Sequence, residues 1–398
     1  MKIGYVVETP VSHNLTGGVR SFLGFIKELK DNTDVEPFVL CSEEWQFTEE
    51  LKKYGIPYIV SKMYRPFVSY PKPVRFFRIR HFIKQLFNSV AKRRGYRFFK
   101  KNKVELIHIN SQFAGLVGAE IAKKLNIPYI YHIREALKEG FGVSFFNEKY
   151  STRIIQNSAS IITISDFIFN KTRLEYPEGK IIKIYNGIKL PEVDPVNLCF
   201  QDVINACIVG RVCSEKNQFD AVKAIEILKV KHGINVVLHV VGWEGCDPYE
   251  TEIKKYIEHN NLSNNVILVP FTNDVVKVTQ KCQIGFVCSE HEAFGRVTIE
   301  SMSLGQIVFA SNAGANPEII KNGRNGFIYS LHDYEDLADK INKVLRFDIK
   351  TLKSISEQAI LDCKEKYSIE ETAKRIYSTY LCALDSNKKS NEVFKKEL

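Results

Sequence analysis

The sequence predicts an α/β protein with two Rossmann-like parallel-sheet domains that face each other across a cleft. The chain has 398 residues, and domains usually contain about 100–200 residues, so two are expected. Apolar runs of strand length alternate with amphipathic runs of helix length, which favours parallel sheets with right-handed crossovers. Residues 186–195 contain two prolines and a glycine and are typical of a linker.

The first domain is expected over residues 1–190. Its predicted strands are mostly continuous Val- and Ile-rich runs rather than alternating ones, as expected of strands buried on both faces. These strands are Ile3–Val7, Pro37–Leu40, Leu106–Ile109, Tyr129–His132, Ile161–Ile164 and Ile181–Tyr185. The predicted helices are Ser21–Lys30 and Ala114–Leu125.

The second domain is expected over residues 191–363 and repeats this pattern. Its predicted strands are Ala206–Val209, Val236–Val241, Val266–Val269, Ile284–Cys288, Ile307–Ala310 and Gly326–Tyr329. Its predicted helices are Gln218–Lys231, Tyr249–His259, Arg296–Leu304 and Tyr334–Leu345. Residues 364–398 are expected to form a helix to about Leu384 that packs back toward the first domain, followed by a frayed tail.

Composition excludes several classes of protein. No run of about eighteen apolar residues is present, so a membrane-spanning helix is not expected. The short apolar run at the N-terminus reaches Glu8 at once and indicates a strand rather than a signal peptide, so the expected location is the cytosol. The nine cysteines are scattered without a CxxC pair, which argues against a disulfide framework or a zinc site.

The densest chemical signal is the string Ser289–Met302, which follows a predicted buried strand and opens a helix. Glu292 lies in its loop, and Glu300 lies in the second helical turn among apolar residues. A carboxylate in such surroundings needs a partner, and sugar or ribose hydroxyls can donate to it. The backbone N–H groups of residues 295–297 at the helix start suit a phosphate. The alternative is that Glu300 pairs with a structural arginine and Glu292 is an exposed loop residue.

Three further segments at strand ends carry polar side chains or glycines that could contact a ligand. Arg211 and Lys216 follow the first strand of the second domain, where two cations can bind a diphosphate and offset the charge that grows on it. Gly17 and Gly18 lie between the first strand and first helix and could cradle a phosphate or leave room for an acceptor. His132 ends a strand of the first domain, where it could contact the reacting sugar. For each segment, a surface or packing role is the alternative.

Together these strings closely resemble retaining glycosyltransferase family 4, of GT-B fold, over nearly the whole chain. Glu292 and Glu300 match its E-x7-E signature, and Gly210–Lys216 matches its G-R-x-x-x-E-K loop. Tyr185–Ile188 matches the N-G-I linker entry, and the loop with Gly314 and Pro317-Glu318 matches G-G-x-P-E.

The resemblance implies a role for each residue. Glu292 would contact the donor hexose, Glu300 would hold the ribose, and His132 would lie by the transferred sugar. Arg211 and Lys216 would bind the diphosphate. The remaining donor-binding positions would be Gly17, Gly18, Phe294, Gly295, Arg296 and Val297. The family retains anomeric configuration and needs no metal or cofactor, so none is expected, and the donor would be a nucleotide-diphosphate sugar.

Some positions depart from the family pattern and leave the donor open. Pro270 stands where many members carry glycine, Gln283 replaces a common aspartate, and Ala315 replaces the second glycine of the G-G loop. The expected function is hexose transfer to a glycan or lipid-linked acceptor, in bacterial surface polysaccharide or glycolipid synthesis. The alternatives are a sugar-nucleotide epimerase of the same fold and a non-catalytic nucleotide-sugar-binding relative.

Residues 62–103 hold fourteen Lys or Arg, no Asp or Glu, and ten Phe or Tyr. Without them the chain has 42 basic and 46 acidic residues, since 56 less 14 is 42, so its basic character is local. An apolar stripe at helical spacing comprises Ile79, Phe82, Ile83, Leu86, Phe87 and Val90. This pattern suits docking on an anionic membrane, which would be the inner face of the plasma membrane. One alternative is that the stripe packs on the sheet while the cations face water. The other is that the segment binds nucleic acid, which no other feature of the sequence supports.

Overall fold

The computed structural model describes residues 1–8, 17–70, 77–200, 203–245 and 247–396, with side chains except those of 77–83 and 388–396. The chain divides into two compact units. The first unit comprises residues 1–187 and 369–398, and the second comprises residues 188–368. The linker predicted over residues 186–195 thus contains the point at which the chain passes from one unit to the other.

The first unit is built on a seven-stranded parallel sheet. Its strands are β1 Lys2–Val7, β2 Glu36–Cys41, β3 Tyr58–Val60, β5 Leu106–Ile109, β6 Tyr129–Ile133, β8 Ser160–Thr163 and β9 Ile181–Lys183, in the order β3-β2-β1-β5-β6-β8-β9. β4 Phe67–Ser69 and β7 Val143–Phe145 form a separate antiparallel pair. Every residue of β5 and β6 is buried, as their apolar sequences predict.

Helices cover this sheet. They are α1 Gly17–Asn32, α2 Gln46–Lys53, α3 Phe77–Lys101, α4 Val117–Leu125, α5 Leu137–Phe141, α6 Glu148–Gln156, α7 Asp166–Glu175 and α15 Ile369–Lys396. A single 3-10 turn, Gln112–Ala114, precedes α4, so the helix predicted from Ala114 begins three residues later. Ser165 caps α7 by accepting the backbone N–H of Ile168 at 3.1 Å.

The second unit contains a six-stranded parallel sheet. Its strands are β10 Ile204–Val209, β11 Val236–Trp243, β12 Val266–Pro270, β13 Ile284–Val287, β14 Ile307–Ser311 and β15 Phe327–Tyr329, in the order β12-β11-β10-β13-β14-β15. Its helices are α8 Gln218–His232, α9 Pro248–His259, α10 Val275–Thr279, α11 Arg296–Ser303, α12 Asn316–Ile319, α13 Tyr334–Val344 and α14 Ile349–Lys366, with a 3-10 turn at Ser214–Lys216. The predicted fold class, two parallel-sheet α/β domains, is confirmed.

The C-terminal helix differs from its prediction in extent. It begins at Ile369 rather than Lys364, because α14 continues to Lys366. It also runs to Lys396 rather than ending near Leu384, since the Lys-, Asn- and Glu-containing end has no proline or glycine to stop it. Its apolar face joins the core of the first unit, where Ile376 and Tyr380 are fully buried.

Six of the eight cysteines in the described residues are buried, and all eight are free thiols. Burial raises the pKa of the Cys41 and Cys288 thiols to about 12, so they behave as small apolar side chains. Among the residues that the structure describes, no helix combines the length and apolarity needed to cross a membrane.

Candidate functional site

The strand order of the second unit brings two of the predicted loops together. From β10 the chain builds outward through β11 and β12, and it then returns to place β13 on the other side of β10. The direction in which strands are added therefore reverses at β10. Open α/β sheets bind ligands outside the carboxyl ends of the strands at such a reversal. The loops after β10 and β13 meet there, where the Glu290 backbone N–H donates to the Glu215 carbonyl at 3.0 Å.

Lys216 and Glu292 form the central ion pair of this site. The Lys216 Nζ lies 2.8 Å from Glu292 Oε2, and the two side chains are 32% and 16% exposed. Glu292 Oε1 also accepts the backbone N–H of Gly295 at 3.3 Å. The sequence predicted both residues separately, and the structure joins them across 76 positions of chain.

The backbone of Glu292 packs closely against a glycine, Gly314. Gly314 has a positive φ of 57°, and a Cβ there would lie 2.3 Å from the Glu292 carbonyl oxygen. The next residue, Ala315, donates its N–H to that oxygen at 2.8 Å. Only glycine permits this approach, which explains physically why the loop that matches G-G-x-P-E contains Gly314.

The start of α11 offers backbone N–H groups. Gly295 is its N-cap with φ 94°, it has no side chain to cap the helix, and the first turn holds no acidic residue. Such a start suits an anion. The neighbouring Phe294 is buried and packs edge-to-face on Tyr367, with ring centroids 6.1 Å apart. This packing holds the loop between β13 and α11 in place.

The other predicted charged residues make local pairs. Arg296 Nε donates to Glu300 Oε1 at 2.7 Å, one turn apart on α11, and the structure thereby gives Glu300 the arginine partner that the sequence left as an alternative. The Arg211 guanidinium is 69% exposed and lies 3.5 Å from Glu215. Arg211, Lys216, Glu292 and Glu300 all keep some exposure to solvent.

Gly242 supports the site but was not predicted from the sequence. It is the penultimate residue of β11 and has φ 114°, and a Cβ there would lie 2.3 Å from the Gly210 carbonyl oxygen. It therefore holds the backbone from which Arg211 projects. The available signal was a glycine directly after the apolar run Val236–Val241, in a place where a close backbone approach is common.

His132 lies in the first unit, inside a buried polar cluster at the end of β6. The ring is 1% exposed. Its Nδ1 lies 3.1 Å from His108 Nε2 and 3.2 Å from Arg134 Nη2, while its Nε2 is buried without a hydrogen-bond partner among the described residues. Burial, and then the charge of Arg134 and the neighbouring His108, hold the pKa of His132 well below its usual value.

Arg134 and Glu135 follow His132 and are part of the same cluster. The Arg134 guanidinium is buried and donates to Asn110 Oδ1 at 3.2 Å and Asn186 Oδ1 at 2.7 Å. Burial lowers its pKa to about 10, so it stays charged at neutral pH. Glu135 accepts from the Ser111 hydroxyl at 3.0 Å, and burial raises its pKa to about 7.

Gly17 and Gly18 open α1 and are exposed. A Cβ on Gly18 would meet nothing within 4 Å, so the packing of the described residues does not by itself require glycine there. The residue that precedes them, Thr16, lies outside the described residues.

Two family models match the chain in succession. The model described as Glycosyltransferase Family 4 matches residues 15–191, and the model described as Glycosyl transferases group 1 matches residues 194–362. The second match contains every site residue described above for the second unit.

Relatives with similar sequences carry names of the same kind. An uncharacterized glycosyltransferase of Methanocaldococcus jannaschii is 24% identical over 71% of this chain and 77% of its own length. The capsular polysaccharide biosynthesis glycosyltransferase CapM of Staphylococcus aureus is 25% identical over 71% of this chain and 79% of its own. Among solved structures, Anabaena HepE in complex with UDP-glucose has a TM-score of 0.73 and 21% identity, covering 96% of this chain and 99% of that one.

Proposed function

This chain belongs to the glycosyl transferases of group 1, with a GT-B fold and a family 4-like sequence, and from that premise we propose that it is a retaining, metal-independent hexosyltransferase. The donor would be a nucleotide-diphosphate sugar and the acceptor a glycan or lipid-linked glycan of a bacterial surface polysaccharide. No cofactor enters the proposal. The observation that carries it is the Lys216–Glu292 pair beside the start of α11.

The donor diphosphate would bind in the second unit. Lys216 Nζ, the Arg211 guanidinium and the backbone N–H groups at the start of α11 supply positive charge from two loops at one sheet edge. Charged and dipolar donors fixed in this way stabilise negative charge that develops on a leaving group. They would do the electrostatic work for which other enzymes use a divalent cation.

The two glutamates would hold hydroxyl groups. Glu292 is joined to Lys216 by an ion pair at 2.8 Å, so a diphosphate that attracts Lys216 would free carboxylate lone pairs for the hexose hydroxyls. Glu300, half-exposed beside Arg296, would accept from the ribose hydroxyls. The names of the relatives support the substrate class, since CapM is named for capsular polysaccharide synthesis and HepE binds UDP-glucose.

The proposed reaction is a front-face substitution. The acceptor hydroxyl oxygen forms a bond to the anomeric carbon while the bond from that carbon to the phosphate oxygen breaks. The acceptor proton passes to the leaving phosphate oxygen, so charge is conserved and the sugar keeps its anomeric configuration.

The test begins with a thermal-shift screen of UDP- and GDP-sugars, because a ligand that binds only the folded chain raises its apparent stability. The stabilising donor is then incubated with and without glycan acceptors while free nucleotide is measured. Acceptor-dependent nucleotide release with an α- or β-linkage matching that of the donor supports the proposal. Conversion of the donor sugar without an acceptor indicates an epimerase, and binding without turnover indicates a non-catalytic relative; either result overturns the proposal.

A surface on α3 supports an acceptor at a membrane. Leu86, Phe87 and Val90 are 57%, 54% and 55% exposed, so these three members of the predicted stripe do not pack on the sheet. Ile79, Phe82 and Ile83 are outside the described side chains. The opposite face of α3 packs inward through Ala91 and Phe99.

Basic side chains continue this exposed surface along α3. Arg93, Arg94 and Arg97 are exposed one to two turns after Val90. We therefore propose that the surface formed by Leu86, Phe87, Val90 and these arginines docks on anionic lipid, with the protein in the cytosol.

Vesicle sedimentation tests this docking. The protein should pellet with vesicles that contain anionic lipid at low salt, and a Leu86→Asp, Val90→Asp variant should stay in the supernatant. Val230, which is 76% exposed on α8, provides the control substitution Val230→Asp, which should leave pelleting unchanged. Wild-type protein that never pellets would refute the docking and leave the proposed reaction standing.

A further inference from the structure

We propose that Arg134 sets the direction of a buried hydrogen-bond chain and so holds His132 as a neutral imidazole with its hydrogen on Nε2. Arg134 is then a positioning residue, and His132 is a hydrogen-bond donor to a bound saccharide rather than an acid or base. The tautomer is a property of the protein without ligand. Its consequence for the saccharide rests on the proposed function.

The chain of hydrogen bonds links four buried side chains of the first unit. The hydroxyl oxygens of Tyr5 and Tyr380 are 3.2 Å apart, and the Tyr380 hydroxyl lies 2.6 Å from His108 Nδ1. His108 Nε2 in turn lies 3.1 Å from His132 Nδ1. Each member is at most 1% exposed, so the four groups must satisfy one another.

Without Arg134, the hydrogens in this chain of hydrogen bonds could point consistently in either of two directions. Hydroxyls and neutral imidazoles can each donate through one atom and accept through another. In one direction every hydrogen points from Tyr5 toward His132, and His132 accepts at Nδ1 and carries its hydrogen on Nε2. In the other direction every hydrogen points toward Tyr5, and His132 carries its hydrogen on Nδ1.

Arg134 distinguishes the two directions. Its Nη2 lies 3.2 Å from the same His132 Nδ1 that faces His108, and a guanidinium only donates hydrogen bonds. A hydrogen on Nδ1 would face the Arg134 N–H with no acceptor between them. In the direction toward His132, the one lone pair of Nδ1 accepts from both His108 and Arg134, whereas the other direction leaves the Arg134 N–H unpaired. An unpaired buried donor disfavours a state by about tenfold to hundredfold in population, so the direction toward His132 prevails.

The surroundings also keep His132 uncharged. Among the described residues, the ionisable groups that contact the ring are His108 and Arg134. Tyr380 and Tyr5 lie beyond His108, and the charge of Glu135 acts on Arg134. A second proton on the ring would occupy Nδ1, against both Arg134 and His108. Burial and the charge of Arg134 lower the pKa of His108 as well, to about 3, so neither ring takes up a proton near neutral pH.

The functional consequence depends on Nε2 of His132. His132 Nε2–H is buried and has no acceptor among the described residues. A buried donor without a partner is costly, and an oxygen of a bound sugar would satisfy it. The donor is preorganised, because the tautomer is fixed before the saccharide arrives.

Long-range ¹H–¹⁵N correlation of the full-length protein, labelled at histidine nitrogens and without ligand, tests the tautomer directly. We expect His132 to show a pyrrole-type Nε2 and a pyridine-type Nδ1 from about pH 6 to 8, with the signals assigned by their loss in His132→Gln. A pyrrole-type Nδ1, or a doubly protonated ring, would overturn the proposal. The spectrum requires no catalysis, so it can succeed or fail independently of the proposed function.

Two variants of Arg134 test its part in this arrangement. Arg134→Gln can donate or accept, so both tautomers of His132 should become populated, while Arg134→Lys should keep the Nε2–H form because an ammonium only donates. The control is Tyr380→Phe, which shortens the chain at its far end and should leave the His132 tautomer unchanged. Where Arg134→Gln does not fold, Arg134→Met removes the charge with a side chain of similar length.

An activity profile completes the test. Wild-type kcat/KM should not show a His132 titration between about pH 6 and 8, whereas Arg134→Gln should lose about tenfold in kcat/KM and gain an acidic limb as the His132 pKa rises. An Arg134→Gln protein that keeps one tautomer and a flat profile, or a Tyr380→Phe protein that changes the tautomer, would contradict the assignment.

Discussion

The two units share a doubly wound parallel sheet but arrange polar residues at its edge in different ways. In the second unit, Lys216–Glu292 and Arg296–Glu300 are ion pairs that retain contact with solvent. In the first unit, His132 and the Arg134 guanidinium are buried against each other and against the neutral side chains of His108 and Asn186. Exposed pairs can exchange partners when a charged ligand arrives, whereas buried groups are fixed in advance and have displaced pKa values. The difference predicts adaptable charge in one unit and preorganised donors in the other.

Removing the charges of the second unit should have the largest effect. Lys216→Ala and Glu292→Ala should each lower kcat by about 10²–10³-fold while the protein stays folded, since each would remove electrostatic stabilisation of the transition state. Steady-state kinetics with the donor identified by the thermal-shift screen gives the measurement. Lys340→Ala is the control, because Lys340 makes an ion pair with Asp336 on α13, outside the site. Near-normal rates in both site variants would remove the site assignment.

The sequence predicted most of this architecture because its physical basis is local. Continuous apolar runs between amphipathic segments determine buried parallel strands, and the runs Leu106–Ile109 and Ile307–Ala310 agree with β5 and with most of β14. The three-residue strands β3, β4 and β7 were missed, although β9 and β15, which are equally short, were predicted.

The candidate site was predicted less completely than the fold. Strand-end position and residue type identified Lys216 and Glu292, but their pairing depends on strand order, which sequence periodicity does not contain. The chain from Tyr5 through Tyr380 to His108 joins residues up to 375 positions apart. No local pattern marks such a contact, so neither Arg134 nor His108 was predicted as a site residue.

A change in the backbone support of Glu292 should have the next largest effect. A Cβ in Gly314→Ala would overlap the Glu292 carbonyl and displace the loop, and a displacement of about 1 Å can cost about 10²-fold in rate. Gly233→Ala is the matched control: Gly233 also has a positive φ, 65°, but a Cβ there meets nothing within 4 Å. Both variants should lose stability in urea denaturation because of the positive φ, Gly314→Ala more than Gly233→Ala because of the overlap, while only Gly314→Ala should lose kcat. Equal kcat in the two variants would show that the close approach has no role.

The buried carboxyl of the first unit should make stability depend on pH. Glu135 has a pKa raised to about 7, so the folded state binds its proton more tightly than the unfolded state. Stability from this group is therefore present at low pH and is lost as the pH rises through about 7. Urea denaturation of wild type and Glu135→Gln at pH 5 and 8 measures it, because contributions from other groups cancel in the difference. Wild type should lose about 2–3 kcal/mol relative to the variant over this interval; parallel pH dependences would contradict the assigned shift.

The smallest effect should come from the partly exposed carboxylate of the second unit. Glu300 is held by Arg296 at 2.7 Å, so a ribose competes for a carboxylate that already has a partner. Its loss should therefore affect binding of the nucleotide more than the chemical step. We expect Glu300→Ala to weaken nucleotide binding by about tenfold, or about 1.4 kcal/mol, with a smaller change in kcat. Calorimetric titration with free nucleotide measures the binding, and Glu335→Ala on α13 serves as a control for loss of an acidic side chain. If kcat falls more than the affinity for the nucleotide, then Glu300 acts on the reacting sugar, and the distinction drawn between the roles of Glu292 and Glu300 is wrong.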